Sequence, residues 1–259
     1  MLSYQHAYHA GNLADVHKHA LLAVAVEYLT RKPKPLSYIE THSGRALYDL
    51  NAAEAIKTGE AAQGIERVGD WFADDHPYTR SIAAARAQQG PNAYPGSPFI
   101  ARHLLREEDR ITLAELHPQE AAALRYALPR ADVHQSDGPE LALSVCPPTP
   151  RRGMLLVDPS YEVKSEYAAM PRLIAQVHRK WNVGVLVLWY PILVNGAQVE
   201  MCATLDALAI DGAIRHEVRF PPARQGHGMI GSGLFVVNPP WGWEAAAQEL
   251  SARFLTLGK

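Results

Sequence analysis

Short apolar runs recur along the chain at residues 36–40, 111–115, 154–158, 183–190 and 233–238, with a weaker run at 214–220 and a brief one at 131–135. Helix-period stretches lie between most of them, the first predicted over 15–31. Such alternation predicts an α/β fold whose sheet is parallel or mostly parallel and covered on both faces. Residues 51–89 break the pattern, because Ala, Glu, Arg and Gln dominate and no strand run interrupts them. In a doubly wound fold a single helix normally joins the first two strands, so this excess predicts a helical subdomain inserted near the C-terminal rim of the sheet. The simpler alternative is an enlarged helical layer. The expected organisation is a gate segment, helix and first strand over 1–50, the insertion over 51–93, and the remainder of the main domain over 94–259.

With 47% hydrophobic residues in 259, the chain can bury a large core. A formal charge of -2 means that any nucleic acid must be met by a local basic face. Cys146 and Cys202 are far apart and lack metal-ligand spacing, which points to a reducing compartment without disulfides or a zinc cluster. Residues 1–19 are polar and His-rich, and no apolar run reaches membrane-spanning length. The expectation is a cytoplasmic, soluble protein with no membrane and no metal.

The most informative stretch is 154–161, where a buried apolar strand runs into Asp158-Pro159-Ser160-Tyr161. An exocyclic adenine amine is a poor nucleophile because its lone pair is delocalised into the ring. Asp158 could accept one of its N–H groups, the Pro159 carbonyl the other, and Tyr161 could stack on the base. An ordinary strand-to-turn stop is the competing reading. Asn238-Pro239-Pro240-Trp241 is the closer match to an amino-methylation tetrapeptide. Position favours Asp158, since the catalytic turn should follow the strand beside the cofactor-binding first strand.

Other acids close predicted strands. Glu40 precedes Thr41-His42-Ser43-Gly44, a turn with too few glycines for a dinucleotide fingerprint. Glu115 could hold a ribose diol, Asp137 an adenine amine, and Gly138 could let the ring lie against backbone. At the amino terminus, Tyr4, His6, His9, His17, Lys18 and His19 cluster. Three readings stand: a metal site through His6/His9 or His17/His19, a solvated arm capping the first helix, or a substrate and cofactor gate in which Lys18 meets a carboxylate or phosphate.

Taken together, Met1-Leu2-Ser3-Tyr4 with His6, His9-Ala10-Gly11-Asn12, Ala14-Asp15-Val16 and Lys18-His19, then Thr41-His42-Ser43-Gly44, Tyr94-Pro95-Gly96-Ser97-Pro98, Glu115-Leu116-His117-Pro118, Asp137-Gly138, Arg151-Arg152-Gly153, Asp158-Pro159-Ser160-Tyr161-Glu162, Leu188-Trp189-Tyr190-Pro191 and the Asn238 turn resemble the RlmJ family. That family comprises S-adenosylmethionine-dependent 23S rRNA adenine-N6 methyltransferases, and the resemblance spans essentially the whole chain. It implies a class I methyltransferase fold, Rossmann-like with a seven-stranded mostly parallel sheet and a helical insertion. It also implies 23S rRNA as the partner, the family target adenine 2030 in a flipped-out base, and a monomer.

Carried over by position, the resemblance implies cofactor contacts at His19, His42, Ser97, Glu115, Asp137 and Gly138. It implies catalysis at Asp158, Pro159 and Tyr161, and a gate at Tyr4, His6 and Lys18. Two departures stand out. Ser160 replaces the second proline, for which a looser turn is expected. Ala46 replaces a glycine of the first loop, where it is expected to hold the backbone farther from the methionine moiety. Phosphates would meet Arg151, Arg152, Arg224 and the inserted helices. The same fold could instead serve DNA adenine or a protein glutamine, or persist as a non-catalytic RNA-binding protein.

Overall fold

The computed structural model describes residues 5–224 and 226–258. Among the described residues nine strands form two sheets: β1 (Ser37–Glu40), β2 (Leu47–Asp49), β3 (Ala93–Pro95), β4 (Arg110–Ala114), β5 (Asp132–His134), β6 (Gly153–Val157), β7 (Val185–Leu193), β8 (Ile214–Arg219) and β9 (Met229–Val237). The larger sheet has seven strands in the order β5-β4-β1-β6-β7-β9-β8. Pairing is parallel from β5 through β7, while β9 runs antiparallel to both β7 and β8. A mostly parallel sheet of this kind needs both faces covered, and side-chain alternation divides the core accordingly. Met154, Leu156 and Tyr38 pack into one apolar cluster, and Leu155, Val157 and Ile39 into the other.

Helix α1 (Leu13–Thr30) is capped by Asn12, whose side chain accepts from the Asp15 amide at 2.8 Å. That cap explains why the helix starts two residues before the predicted boundary. It packs against β9 and four helices, so it is buried nearly all round.

The predicted helical stretch contains α2 (Ala53–Thr58), α3 (Glu60–Gln63), α4 (Ile65–Val68) and α5 (Pro77–Gln89). Strands β2 and β3 bracket it and pair antiparallel, so the chain enters and leaves it side by side. Beyond lie α6 (Ser97–Leu104), α7 (Pro118–Ala127), α8 (Gly138–Val145), α9 (Ser165–Lys180), α10 (Val199–Ala207) and α11 (Trp243–Phe254). Among the described residues no helix is long and apolar enough to cross a membrane.

Strand β7 continues past Tyr190 to Leu193 because β9 accompanies it to Met229, beyond the last β6 pairing at Val157–Leu188. Strand β9 likewise starts at Met229, four residues earlier than its apolar run suggests, since β7 supplies a partner there.

Candidate active site

Parallel strands β1, β4, β5 and β6 end at one rim, and a cavity of about 500 Å³ opens there between that rim and the start of α1. Asp158 leaves the end of β6, next to β1, as position in the sheet required. Asn238 is elsewhere. It follows the antiparallel β9, at the opposite end of the sheet, where its amide donates to the carbonyls of Asn182 and Gly184 at 2.9 and 2.8 Å.

Lys18 reaches from α1 to Asp158, with 2.5 Å between Nζ and Oδ2, and also lies 3.2 Å from Asp15 Oδ1. Burial works against the ammonium, but the two carboxylates outweigh it and hold its pKa above the ordinary lysine value. Asp15 in turn accepts from His6 and from the Gly11 amide, each at 2.9 Å. Burial opposes its charge, yet His6, His19 and Lys18 prevail and keep its pKa well below the carboxylate range. A buried polar relay therefore ties the amino-terminal turn to Asp158. Asn12, Asp15 and Lys18 are all buried, which excludes the solvated-arm reading of this segment.

The histidines point to different places. His17 faces Ser232 and His216 at 2.8 and 2.9 Å, whereas His19 faces the Tyr94 hydroxyl at 2.9 Å. His9 binds Glu60 at 3.0 Å, so the turn is also fastened to α3. Among the described residues no group of three His, Cys, Asp or Glu could hold a metal ion.

At the first turn, Gly44 donates its amide to Glu115 Oε2 at 2.8 Å, and His117 donates to Oε1 at 2.7 Å. These bonds hold the Glu115 carboxylate at the cavity wall. Asp137 caps α8 through Oδ1, accepting from the Glu140 amide at 3.0 Å. Gly138 has a different reason from the expected one, since an added Cβ would lie 1.9 Å from the Thr41 carbonyl oxygen. It is close backbone packing that demands glycine there. His42 contacts Thr41 Oγ1 at 2.7 Å, and burial lowers its pKa to about 4. Ser97 donates to Glu40 Oε1 at 2.5 Å.

All the expected site residues from His6 to Tyr161 line this one cavity. Tyr4 lies outside the described residues. Sequence reasoning gave Asp15, Ser43 and Trp189 no role of their own and noted Glu40 only as the acid closing the first strand. Glu40 closes β1 and is fully buried; burial pushes its pKa up to about 8, against the hydroxyls of Ser97 and Tyr38 that favour the carboxylate. Trp189 stands beside the Asp158 turn, with Lys18 Nζ 5.4 Å from its ring, its indole donating to Ser232 at 2.9 Å and its carbonyl accepting from Tyr161 at 2.9 Å. Trp189 lies inside the apolar run 183–190, where an aromatic reads as core.

Residues 33–256 match the family model described as "RsmJ: Ribosomal RNA large subunit methyltransferase D, RlmJ". The chain belongs to this family. It is 39% identical over 249 residues to the ribosomal RNA large subunit methyltransferase J of Escherichia coli (strain K12), covering 93% of this chain and 88% of that one. The protein of the same name from Haemophilus influenzae is 36% identical over 259 residues, covering 96% and 92%. A crystal structure of a Legionella pneumophila protein superposes with a TM-score of 0.85 at 33% identity, covering 96% and 94% of the two chains.

As an RlmJ-family member the protein is an rRNA methyltransferase with the class I methyltransferase fold, and the family's methyl donor is S-adenosylmethionine. The cavity suits such a donor, for Ser43 Oγ is buried in the first turn with no hydrogen-bond partner and the Glu115 carboxylate is held nearby. Both departures from the family pattern are visible in the backbone. Ala46 has φ +70°, a left-handed conformation that favours glycine, and its methyl is buried rather than part of the cavity wall. Ser160 accepts from the Glu162 amide at 3.4 Å, a weak local brace in place of the second proline. Arg151 and Arg152 precede β6, at the end of the sheet away from the cavity. Arg152 donates to the carbonyls of Leu29 and Lys34, and neither arginine lines the cavity mouth. Exposed Arg224 is near it, its carbonyl accepting from cavity-lining His227 at 3.1 Å.

Proposed function

We propose that this protein is a cytoplasmic 23S rRNA methyltransferase acting on the N6 amine of one adenine, the family target adenine 2030. The observation that carries this reading is the Asp158-Pro159 turn, placed beside β1 and opening into the same cavity as Glu115 and Asp137. Lys18 occupies Asp158 Oδ2, which leaves Oδ1 unbonded among the described residues. The Pro159 carbonyl likewise accepts no backbone hydrogen bond. Two acceptors on one rigid turn match the two N–H groups of an exocyclic amine.

S-adenosylmethionine supplies an electrophilic methyl on a sulfonium, which departs as a neutral thioether. Glu115 would hold its ribose hydroxyls, Asp137 its adenine, and His19, His42, Ser97 and Ser43 its methionine side. The target base must leave its stack to reach the cavity. Tyr161 is fastened through its hydroxyl and presents its ring beside the turn, with Trp189 next to it. Asp158 and Pro159 orient the amine lone pair out of the ring plane toward the methyl. As the nitrogen–carbon bond forms and the carbon–sulfur bond breaks, Asp158 is hydrogen-bonded to the surplus proton and passes it to solvent. His6 and Lys18 would close this end of the site.

The test offers labelled methyl donor with protein-free 23S rRNA lacking the modification, duplex DNA and a glutamine peptide in competition. N6-methyladenosine in the rRNA alone is expected. Label in DNA, in peptide or at another rRNA atom would overturn the assignment.

A further inference from the structure

The Asn238 turn, which the catalytic site does not use, holds an aromatic residue out in solvent. Asn238 has φ +54° and is pinned by its two amide bonds to the chain before β7. Five residues on, Trp243 is buried and donates its indole N–H to the Leu21 carbonyl at 3.2 Å. Trp241 between these anchors is 78% exposed. A lone exposed apolar side chain needs no explanation, but this one has company. The Tyr28 ring lies 6.5 Å from it, inclined by 37°, and the Arg31 guanidinium is 5.7 Å from Tyr28.

The surrounding corner is positive although the whole chain is not. Arg31, Lys32 and Lys34 are exposed and enter no ion pair among the described residues. Arg106 donates to the carbonyls of Lys32 and Lys34, and Arg152 to that of Lys34, which brings two more cations to the same loop. Of the acids here, Glu27 is held by Arg80 at 2.5 Å and Asp109 by Arg106 at 2.9 Å. Rigid aromatics with a fringe of free cations are the chemistry that receives unpaired nucleotides, bases stacking while phosphates meet the charges.

We propose that Trp241 and Tyr28, with Arg31, Lys32 and Lys34, form a second contact surface for the rRNA substrate, taking unpaired nucleotides remote from the target adenine. It lies at the far end of α1, about 20 Å from Lys18 at 1.5 Å per residue. This surface rests on rRNA being the substrate and anchors the RNA without touching the reacting atoms.

The experiment measures binding of protein-free 23S rRNA lacking the modification, by filter retention over a salt series. It compares wild type, Trp241→Ala, Trp241→Phe and the triple variant Arg31→Ser, Lys32→Ser, Lys34→Ser. Methyl-transfer kinetics are run alongside. Trp241→Ala should weaken binding about tenfold, with Trp241→Phe close to wild type. The triple variant should lower the salt slope by about 2. KM for rRNA should rise in both, with kcat unchanged. Wild-type affinity and slope in folded Trp241→Ala and triple variants would overturn the surface, even if methyl transfer is intact. Loss of methyl transfer in wild type itself would sink the catalytic reading, while the binding comparison would still decide the surface.

Discussion

Lys18 and Asp158, 140 positions apart in sequence, meet at 2.5 Å inside the cavity, with Asp15 on the other side of the ammonium. Removing the cation would leave the buried Asp15 carboxylate facing the partly buried one of Asp158. Breaking a buried pair from one side costs about 3 kcal/mol or more. Lys18→Ala should therefore lose about that much stability in denaturant titrations, and methyl transfer should fall with it. Wild-type stability would mean that the pair is not formed in solution.

Ala46 sits at φ +70° with its methyl buried. For an L-residue that conformation costs about 1 kcal/mol, partly offset by the greater freedom of glycine in the unfolded chain. Ala46→Gly should raise the unfolding free energy by up to about 1 kcal/mol, seen as a higher denaturation midpoint with an unchanged m value. A lower midpoint would show that the buried methyl contributes more than the backbone strain costs.

Glu40 gives the stability a pH dependence of definite sign. Its folded pKa is about 8, above the carboxylate value of 4.5, so the folded state binds more protons in between. The contribution is present below about pH 4.5 and is lost as pH rises through 8. Glu40→Gln should flatten the decline in stability across that window, read as the midpoint of urea unfolding at a series of pH values. His42, lowered to about 4, acts at the other edge, where stability falls as pH drops from 6.5 through 4.

The strands, their order around Asp158 and the acids at their ends were legible because each is a local pattern of buried runs closed by a polar residue. The partners of the amino-terminal cluster were not. Composition makes 1–19 look solvated, yet Asn12, His17, Lys18 and His19 are buried because their partners come from remote segments: Glu60, Ser232, Asp158 and Tyr94. Nor was the setting of Arg152 legible: its guanidinium donates to carbonyls at the end of α1 and in the following loop, at the end of the sheet away from the cavity.

Glu115 holds the first turn through the Gly44 and His117 amides. If it also binds the donor's ribose, Glu115→Gln should weaken S-adenosylmethionine binding about tenfold, the scale of losing a charged hydrogen bond, with kcat at saturation little changed. Calorimetric titration of the donor checks this. An unaltered affinity would reduce Glu115 to a structural brace.

The central claim is that Asp158 receives the target amine. Labelled methyl transfer to protein-free 23S rRNA lacking the modification, with nuclease digestion of the product, should be run for wild type and Asp158→Ala side by side, with donor binding measured for both. The account predicts N6-methyladenosine from wild type alone, with donor binding retained in Asp158→Ala. Equal turnover by the two proteins, or loss of donor binding together with turnover, would contradict it.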